Sequence, residues 1–259
     1  MYYLGPEGSF SHEAALRIRG QRTPVTSITE IFDAVMRGGL GVVPVENTLE
    51  GPVNETLDNL YNRDEIFVNF RIDLPIRLVL AAREGTRLED IETVFSHNHA
   101  IHEARSWLLK AGLTNLVPVE STSKAARMAL NEPRSAAVCS ELASRIYGLK
   151  VLARDIQDGV NITKFIVISK NYTDQGNKSI IFFTVPDRPG GLYMALEKFY
   201  KKNINLTMIY SRPTKVIPWN YYFYLEFEGD IRSAERSGLI QDLRGSTLEL
   251  KIKGSYRTL

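Results

Sequence analysis

Three adjacent polar residues, Glu46, Asn47 and Thr48, are the first candidates for chemistry in this sequence. They follow the apolar run 42–45, whose short length and β-branched side chains predict a buried strand. Asn54 lies a few residues further on and is predicted to cap a helix. Because ligands of open α/β sheets bind at the carboxyl ends of strands, this turn is a candidate binding loop. An ordinary surface loop with capping residues is the alternative.

The same succession of strand, polar turn and helix is predicted at the N-terminus and three more times along the chain. At the N-terminus the strand covers 2–4, and Ser9 or Ser11 caps a helix that runs to Arg19. The later units have polar turns at 96–99, 120–123 and 140, followed by helices over 100–110, 124–130 and 141–147. Several such turns can surround one small polar ligand, and their hydroxyls and backbone N–H groups suit a carboxylate-bearing molecule.

The intervening segments predict a helix over 28–37 capped by Thr29, a strand over 74–80 with Pro75 near its start, and a polar loop over 157–165 leading into a strand over 166–168. Residues 171–177 are rich in Asn, Asp and Gly and mark the clearest domain boundary. Beyond it, the sequence predicts strands over 179–185, 205–211, 221–228 and 248–252, and helices over 192–200 and 231–243. Their order, β-α-β-β-α-β, is that of a ferredoxin-like domain.

The composition is that of a globular protein of two domains, with 259 residues, 44% hydrophobic and 24% charged. The net charge of +2 and the lack of a dense basic segment argue against nucleic-acid binding. No apolar run is long enough to span a bilayer, and the N-terminus lacks the apolar core of a signal peptide. A cytoplasmic location is the simplest inference. The single cysteine, Cys139, is predicted to be a packed small side chain.

Three histidines, at positions 97, 99 and 102, raise the question of a metal site. Their spacing matches no strong zinc motif, so a binding-site histidine or a solvated helix start is favoured and no metal is expected. The GxSxG motif of serine hydrolases is missing, and no paired-carboxylate signature stands out. What remains is a site rich in Ser, Thr, Asn and Glu, which suits binding or a reaction driven mainly by the substrate itself.

A series of motifs occurs in order over almost all of residues 1–170: GPEGSFSHEAA, GVVPVENTLEGPVNETLD, LPIRLVL, FSHNHAIHEAR, ESTSKAA, AAVCSELASRIYGLKVLARDIQD and NITKF. Together these motifs resemble the prephenate dehydratase family. In the C-terminal half, RPGGLYMAL and INLTMIYSRPTK resemble the ACT regulatory domain of the same enzymes. Composition and spacing do not identify this reaction; the resemblance does.

The resemblance implies an α/β fold in two parts. The catalytic domain, expected over 1–172, would be similar to periplasmic binding proteins, with a cleft between two α/β lobes. Lobe one is expected to cover 1–75 and 160–172, and lobe two 76–159. A ferredoxin-like (βαββαβ) ACT domain is expected over 178–259.

In this family prephenate loses water and carbon dioxide to give phenylpyruvate, on the route to phenylalanine, and no cofactor is needed. The family's Thr-Arg-Phe motif falls on 163–165, so the resemblance gives Thr163 the proton-donor role. Lys164 replaces the family's arginine and keeps the charge that a substrate carboxylate needs, but not the bidentate fork. Asn47 matches the family's active-site asparagine, and Glu46 beside it is a candidate orienting group.

Further substrate contacts implied by the resemblance lie in the polar turns. The family's Ser-His-Pro-Gln turn falls on Ser96 to His99, so His99 takes the glutamine position and makes the site pH-sensitive. Ser9, Ser121 and Thr122 are expected contacts from the other turns. A plain helix cap is the alternative for each of them.

The ACT resemblance implies that phenylalanine binds between two ACT domains as a feedback inhibitor, in a homodimer or homotetramer. The expected effector contacts match the family's Gly-Ala-Leu loop and most of its Glu-Ser-Arg-Pro motif: Gly190, Gly191, Leu192, Ser211, Arg212 and Pro213. Tyr210 replaces the glutamate of the second motif, so the resemblance does not determine the strength of the response. An ACT domain kept only for dimerisation is the alternative.

Two other functions stay open at this point. An arogenate dehydratase would need a group that accepts from the substrate's ammonium, and Glu46 or Glu120 could serve. A non-catalytic amino-acid sensor is the second possibility, since Lys164 and His99 both depart from the family's residues.

Overall fold

The computed structural model describes residues 1–215 and 219–259, which fold as a mixture of helices and strands. The strands are β1 (Tyr2–Leu4), β2 (Thr23–Val25), β3 (Gly41–Asn47), β4 (Gly51–Pro52), β5 (Phe67–Pro75), β6 (Val79–Ala82), β7 (Thr93–Ser96), β8 (Leu116–Pro118), β9 (Ser135–Cys139), β10 (Lys150–Ala153), β11 (Ile162–Ser169), β12 (Lys178–Thr184), β13 (Leu206–Pro213), β14 (Tyr221–Glu228) and β15 (Glu249–Thr258).

The helices are α1 (Phe10–Ala15), α2 (Ile28–Met36), α3 (Asn54–Asn62), α4 (Asn98–Glu103), α5 (Arg105–Lys110), α6 (Thr122–Asn131), α7 (Glu141–Ile146), α8 (Gly191–Lys201), α9 (Ile231–Arg236) and α10 (Leu239–Ser246). A short 3₁₀ helix covers Leu88–Asp90. Within the part of the chain that the structure describes, none of the helices combines the length and the apolar character needed to cross a membrane.

The chain forms two compact units. The first contains Met1–Ile31, Glu46–Gly51 and Asp73–Phe165, and the second contains Phe32–Val45, Pro52–Ile72 and Ile166–Leu259.

The first unit is built on a five-stranded sheet with the order β10-β6-β9-β7-β8. Strand β7 runs parallel to both β8 and β9, so the carboxyl ends of these three strands lie at one edge of the sheet. The polar turns predicted after each strand therefore share that edge, as the repeated strand–turn–helix units imply. Ala125, Ala126 and Ala129 form the buried face of α6, whose small side chains let the helix pack closely against β7 and β9.

The second unit contains the expected βαββαβ arrangement. Strands β12 to β15 form antiparallel pairs in the order β13-β14-β12-β15, and α8, α9 and α10 complete the domain. The helices pack apolar side chains such as Phe199 and Leu243 against strand residues such as Phe183, and all three are buried. The second helix of the pattern, predicted as one segment over 231–243, is divided at Ser237 and Gly238 because Gly238 takes a left-handed conformation with φ +76°. The α/β and ferredoxin-like assignments are confirmed.

Two helix starts differ from the sequence prediction. The Ser27 hydroxyl accepts from the Glu30 N–H at 3.2 Å, so Ser27 caps α2 and Thr29 lies inside the helix. Asn54 is the first residue of α3, and Val53 takes the cap position without a side-chain hydrogen bond. Runs of neighbouring polar residues leave the position of a cap undetermined by one or two residues.

Several lengths also differ from prediction. Helix α1 ends at Ala15 rather than Arg19, and Arg22 Nε donates to the Ala15 carbonyl at 3.0 Å where the helix stops. Pro75 closes β5 instead of opening a new strand. Strand β11 already begins at Ile162, so the predicted loop is shorter.

The helix predicted over 100–110 is broken at Ala104 into α4 and α5. Asp158 bonds to the chain on both sides of the break. Its N–H donates to the Glu103 carbonyl at 2.6 Å, and its carboxylate accepts from the Ser106 N–H at 3.0 Å. These bonds satisfy the last carbonyl of α4 and a free N–H of α5.

Candidate active site

The Asn47 side chain lies at the centre of a hydrogen-bond cluster in the first unit. Its Oδ1 accepts from the backbone N–H groups of Leu49 at 2.9 Å and Glu50 at 3.1 Å. These two bonds fix the direction of the amide, so Nδ2 faces Asn161 and Thr163. Nδ2 donates to Asn161 Oδ1 at 2.6 Å and to Thr163 Oγ1 at 2.9 Å. Because Thr163 accepts this bond through a lone pair, the bond does not consume its own hydroxyl proton.

Backbone contacts hold Asn47 and Thr163 in this position. The Thr48 N–H donates to the Ile162 carbonyl at 3.0 Å, and the Ile162 N–H donates to the Thr48 hydroxyl at 3.0 Å. This reciprocal pair ties the end of β3 to the start of β11. The polar end of β3 and the Thr163 motif therefore meet, although 116 positions separate Asn47 from Thr163.

Asn161 extends the cluster to Glu103 at the end of α4. Asn161 is only 4% exposed, and its Nδ2 donates to Glu103 Oε1 at 2.8 Å. Burial raises the pKa of Glu103, the nearby Glu50 carboxylate raises it further, and the hydrogen bond from Asn161 opposes both. Neither Glu103 nor Asn161 is among the site residues predicted from the sequence. Asn161 stands in the NITKF motif, which is the one signal that could have found it.

A cavity of about 490 Å³ opens beside this cluster. Asn161 and Glu103 line it, together with His99, His102, Glu50 and Asp158. The volume suits a small organic acid or amino acid. The carboxyl groups of Glu50, Glu103 and Asp158 give the lining an acidic character.

Lys164 and Glu46 form an ion pair between their side chains. The exposed fractions are 17% for Lys164 and 23% for Glu46, so both charged groups are partly removed from water. Glu46 thus lies against the Lys164 ammonium group. A substrate carboxylate would have to share or displace this partner.

His99 bonds to Glu50 through Nδ1, and its ring stacks on that of His97 with 5.1 Å between the ring centroids. Burial and the adjacent His99 lower the pKa of His97. Residues 1–215 and 219–259 include no group of three or more His, Cys, Asp or Glu side chains placed to hold a metal ion.

The hydroxyl residues expected to contact substrate lie in the turns of the first unit and also make local hydrogen bonds. Ser9 caps α1, and Ser121 caps α6 by accepting from the Lys124 N–H at 3.0 Å. Ser96 is buried and donates to the Val138 carbonyl at 2.7 Å. Thr122 is the half-buried first residue of α6. These bonds position the turns.

The predicted effector residues divide into two groups. Leu192 and Ser211 line a cavity of about 370 Å³ that also includes Arg188 and Asp187. Gly190 precedes α8 with φ +84°, in the left-handed region that favours glycine. A Cβ on Gly191 would lie 2.5 Å from the Pro186 carbonyl oxygen, so this position also requires glycine.

Arg212 binds α3 of the same unit. Its Nε and Nη2 donate to the two carboxylate oxygens of Asp58 at 2.8 and 2.9 Å, and Lys215 and Tyr222 donate to Asp58 as well. Burial acts to raise the pKa of Asp58, but these hydrogen bonds outweigh it and hold the pKa well below its usual range. Pro213 ends β13 next to Arg212.

The family model for prephenate dehydratase matches residues 1–173, and the model for the ACT domain matches residues 179–244. The chain belongs to the prephenate dehydratase family. It is 43% identical to the bifunctional chorismate mutase/prephenate dehydratase of Aquifex aeolicus, over 98% of this chain and 72% of that protein. It is 34% identical to the prephenate dehydratase of Methanocaldococcus jannaschii, over 98% of this chain and 96% of that protein.

A solved structure shares the fold over nearly the whole chain. It is the prephenate dehydratase from Arthrobacter aurescens in complex with L-Phe, which is 31% identical and has a TM-score of 0.89. The similarity covers 99% of this chain and 89% of that one.

Proposed function

We propose that this protein converts prephenate to phenylpyruvate, with the Thr163 hydroxyl, held in place by Asn47, as the donor at the reacting hydroxyl. The observation that carries the proposal is the 2.9 Å hydrogen bond from Asn47 Nδ2 to Thr163 Oγ1, in a cluster that borders a cavity of substrate size. Membership of the family supports the same reaction. No cofactor takes part in the proposed chemistry.

In the proposed reaction the bonds break within the substrate, and the protein forms no covalent bond to it. The bond between the ring and the departing carboxylate breaks, its electron pair completes the aromatic ring, and the ring C–O bond breaks at the opposite carbon. Negative charge thus develops on the leaving hydroxyl, which becomes water by taking a proton. A neutral donor aimed at that oxygen binds the transition state more tightly than the ground state. Thr163 supplies this hydrogen bond, since Asn47 occupies one of its lone pairs and leaves its proton for the substrate.

The proposed carboxylate contacts come from Lys164 and from the turns of the first unit. Lys164 supplies the positive charge, with Glu46 as its orienting partner. The remaining proposed contacts are Ser9, Ser96, His99, Ser121 and Thr122.

We also propose the following domain boundaries: a catalytic domain over 1–172, with lobe one at 1–75 and 160–172 and lobe two at 76–159, and an ACT domain over 178–259.

We also propose phenylalanine as the effector. The cavity lined by Leu192 and Ser211 offers apolar side chains together with Asp187 and Arg188, whose charges complement an ammonium and a carboxylate. The Arthrobacter aurescens relative was solved with L-Phe, which supports the same ligand here. Gly190 and Gly191 shape the adjacent turn, and Arg212 and Pro213 support the strand that carries Ser211. A homodimer or homotetramer and a cytoplasmic location complete the proposal.

Arogenate is a second candidate substrate, and one observation favours it. Glu50, Glu103 and Asp158 line the larger cavity, and such a lining attracts the ammonium that arogenate carries and prephenate lacks. The two groups proposed from sequence are less suitable acceptors: Glu46 is paired with Lys164, and Glu120 is an exposed partner of Lys124.

A single pair of assays tests these alternatives. The purified protein is incubated with prephenate or with arogenate, and the phenylpyruvate or phenylalanine formed is measured to give kcat/KM for each. Turnover of prephenate with the higher kcat/KM supports the dehydratase proposed here, and a higher value for arogenate replaces it with the second candidate. Binding of phenylalanine without turnover of either substrate would identify an amino-acid sensor instead.

A further inference from the structure

We propose that Glu103 is a positioning residue for the dehydration, which sets the orientation of Asn161 and, through it, of the Asn47 amide that holds Thr163. This inference rests on the proposed function. The geometry behind it is a continuous chain of side-chain hydrogen bonds: Asn161 to Glu103 at 2.8 Å, Asn47 to Asn161 at 2.6 Å, and Asn47 to Thr163 at 2.9 Å.

The donors and acceptors in these bonds allow only one orientation of the Asn161 side-chain amide. The Asn161 amide offers an oxygen at one end and a nitrogen at the other, and its oxygen must face Asn47 to accept the bond that Asn47 donates. Asn161 Nδ2 therefore needs an acceptor on its other side, and Glu103 Oε1 provides it. A reversed Asn161 would place two donors against each other at Asn47. That clash would turn the Asn47 amide away from Thr163.

The backbone fixes Glu103 itself. It is the last residue of α4, and its backbone carbonyl accepts a hydrogen bond from the Asp158 N–H. The Asp158 carboxylate in turn accepts from the Ser106 N–H in the first turn of α5. The backbone that carries its side chain is therefore tied at the break between two helices, a more rigid support than a surface loop. Asn161 is 4% exposed and has little room to turn. Loss of the Glu103 acceptor should therefore disturb the hydrogen bonds that Asn161 makes with Asn47 and, through it, the bond to Thr163.

The charges around Glu103 should make the hydrogen bond from Asn161 to Glu103 depend on pH in a way that can be measured. Glu50 and His99 act on its carboxyl from the cavity side, Asp158 lies beside it at the helix break, and Asn161 donates to it. Burial raises its pKa, so its proton is lost at a higher pH than that of an exposed glutamate. The side-chain N–H₂ group of Asn161 should report that titration directly.

A double-mutant cycle tests the positioning role by kinetics. We expect Glu103→Ala to lower kcat by about tenfold with little change in KM, and Glu103→Gln, which keeps an acceptor oxygen, to recover at least about a third of the wild-type kcat. The double variant Glu103→Ala/Asn161→Ala should be no slower than Asn161→Ala alone, because both changes break one chain of bonds. Glu84→Gln, which removes an exposed charge paired with Lys150, is the matched control and should match wild type. A wild-type kcat for Glu103→Ala, or two losses that multiply in the double variant, would overturn the proposal.

Side-chain amide NMR separates failure of this inference from failure of the proposed function. In ¹H–¹⁵N spectra of the whole protein, the Asn161 and Asn47 N–H₂ resonances should titrate with pH in the wild type, stay constant in Glu103→Gln, and move in Glu103→Ala. This readout does not depend on turnover, so a protein inactive on prephenate would refute the reaction while still reporting the hydrogen bonds. Identical amide resonances in the wild type and Glu103→Ala would refute the positioning role even in an active enzyme.

Discussion

Asn47 Nδ2 lies 2.9 Å from Thr163 Oγ1, across 116 positions of sequence. Asn47 is the donor, because two backbone N–H groups hold its oxygen on the other side. The threonine hydroxyl is thereby polarised by an accepted bond while its proton stays available. This direction of donation matters for a reaction in which a hydroxyl leaves with its electron pair, since the site must supply protons to that oxygen rather than lone pairs.

Lys164 should contribute to substrate binding more than to the chemical step. Removing the charge in Lys164→Ala is expected to raise KM for prephenate by about tenfold with a smaller change in kcat, as a loss of uniform binding does. Steady-state kinetics measure both constants. Lys170→Ala, which removes an exposed lysine paired with Glu65, is the control. An unchanged KM in Lys164→Ala would mean that Glu46 keeps the lysine from the substrate.

Asp58 should stabilise the second unit through its bonds to Arg212, Lys215 and Tyr222. Asp58→Asn is expected to lower the free energy of unfolding by about 2 kcal/mol, the scale of charge-assisted hydrogen bonds lost from a partly buried group. Because the folded pKa of Asp58 lies below its unfolded value, the stabilisation is present above about pH 4, the unfolded pKa, and is lost as the pH falls further.

Denaturation with urea at several pH values measures this contribution. The difference between wild type and Asp58→Asn should shrink as the medium is acidified below about pH 4. Asp242→Asn, at a more exposed ion pair with Lys202, should change stability by less than about 0.5 kcal/mol at any pH. A difference for Asp58→Asn that is small at neutral pH, or that grows on acidification, would contradict the assigned role.

The sequence predicted the repeated strand–turn–helix units well because their apolar and polar residues alternate locally. Through the resemblance to a known family it also pointed to Asn47 and Thr163, whose side chains the structure brings together. The role of Glu103 could not be predicted from the sequence, because its partner, Asn161, is 58 positions away and their contact depends on tertiary structure. The pairing of Arg212 with Asp58 lies 154 positions apart and was missed for the same reason.

Lys253 should make stability depend on alkaline pH. Burial lowers its pKa to about 8 from 10.5, and its Nζ donates to the Arg63 carbonyl at 2.8 Å. Between these two pH values the unfolded chain binds more protons than the folded one, so this group adds stability as the pH rises. The melting temperature of the wild type should therefore rise relative to that of Lys253→Met from pH 8 to pH 10.5. A difference that stays constant over this range would show that Lys253 titrates normally.

Leu192 should contribute apolar contact to the effector. Leu192→Ala is expected to weaken binding of phenylalanine by about tenfold, which corresponds to about 1.4 kcal/mol and to the loss of part of a leucine side chain from the cavity wall. Isothermal titration calorimetry gives the dissociation constant. Leu248→Ala, at a leucine that is 67% exposed, serves as the control and should bind like wild type. Equal affinities for Leu192→Ala and wild type would place the effector elsewhere.

The most direct test of the central claim is kcat for prephenate in Thr163→Ala and Thr163→Ser, with phenylpyruvate as the measured product. Losing a well-placed donor should lower kcat by at least about 100-fold in Thr163→Ala, whereas Thr163→Ser, which keeps the hydroxyl, should stay within about tenfold of wild type. A Thr163→Ala enzyme as fast as the wild type would contradict the account, because the hydroxyl held by Asn47 would then have no part in releasing the ring oxygen.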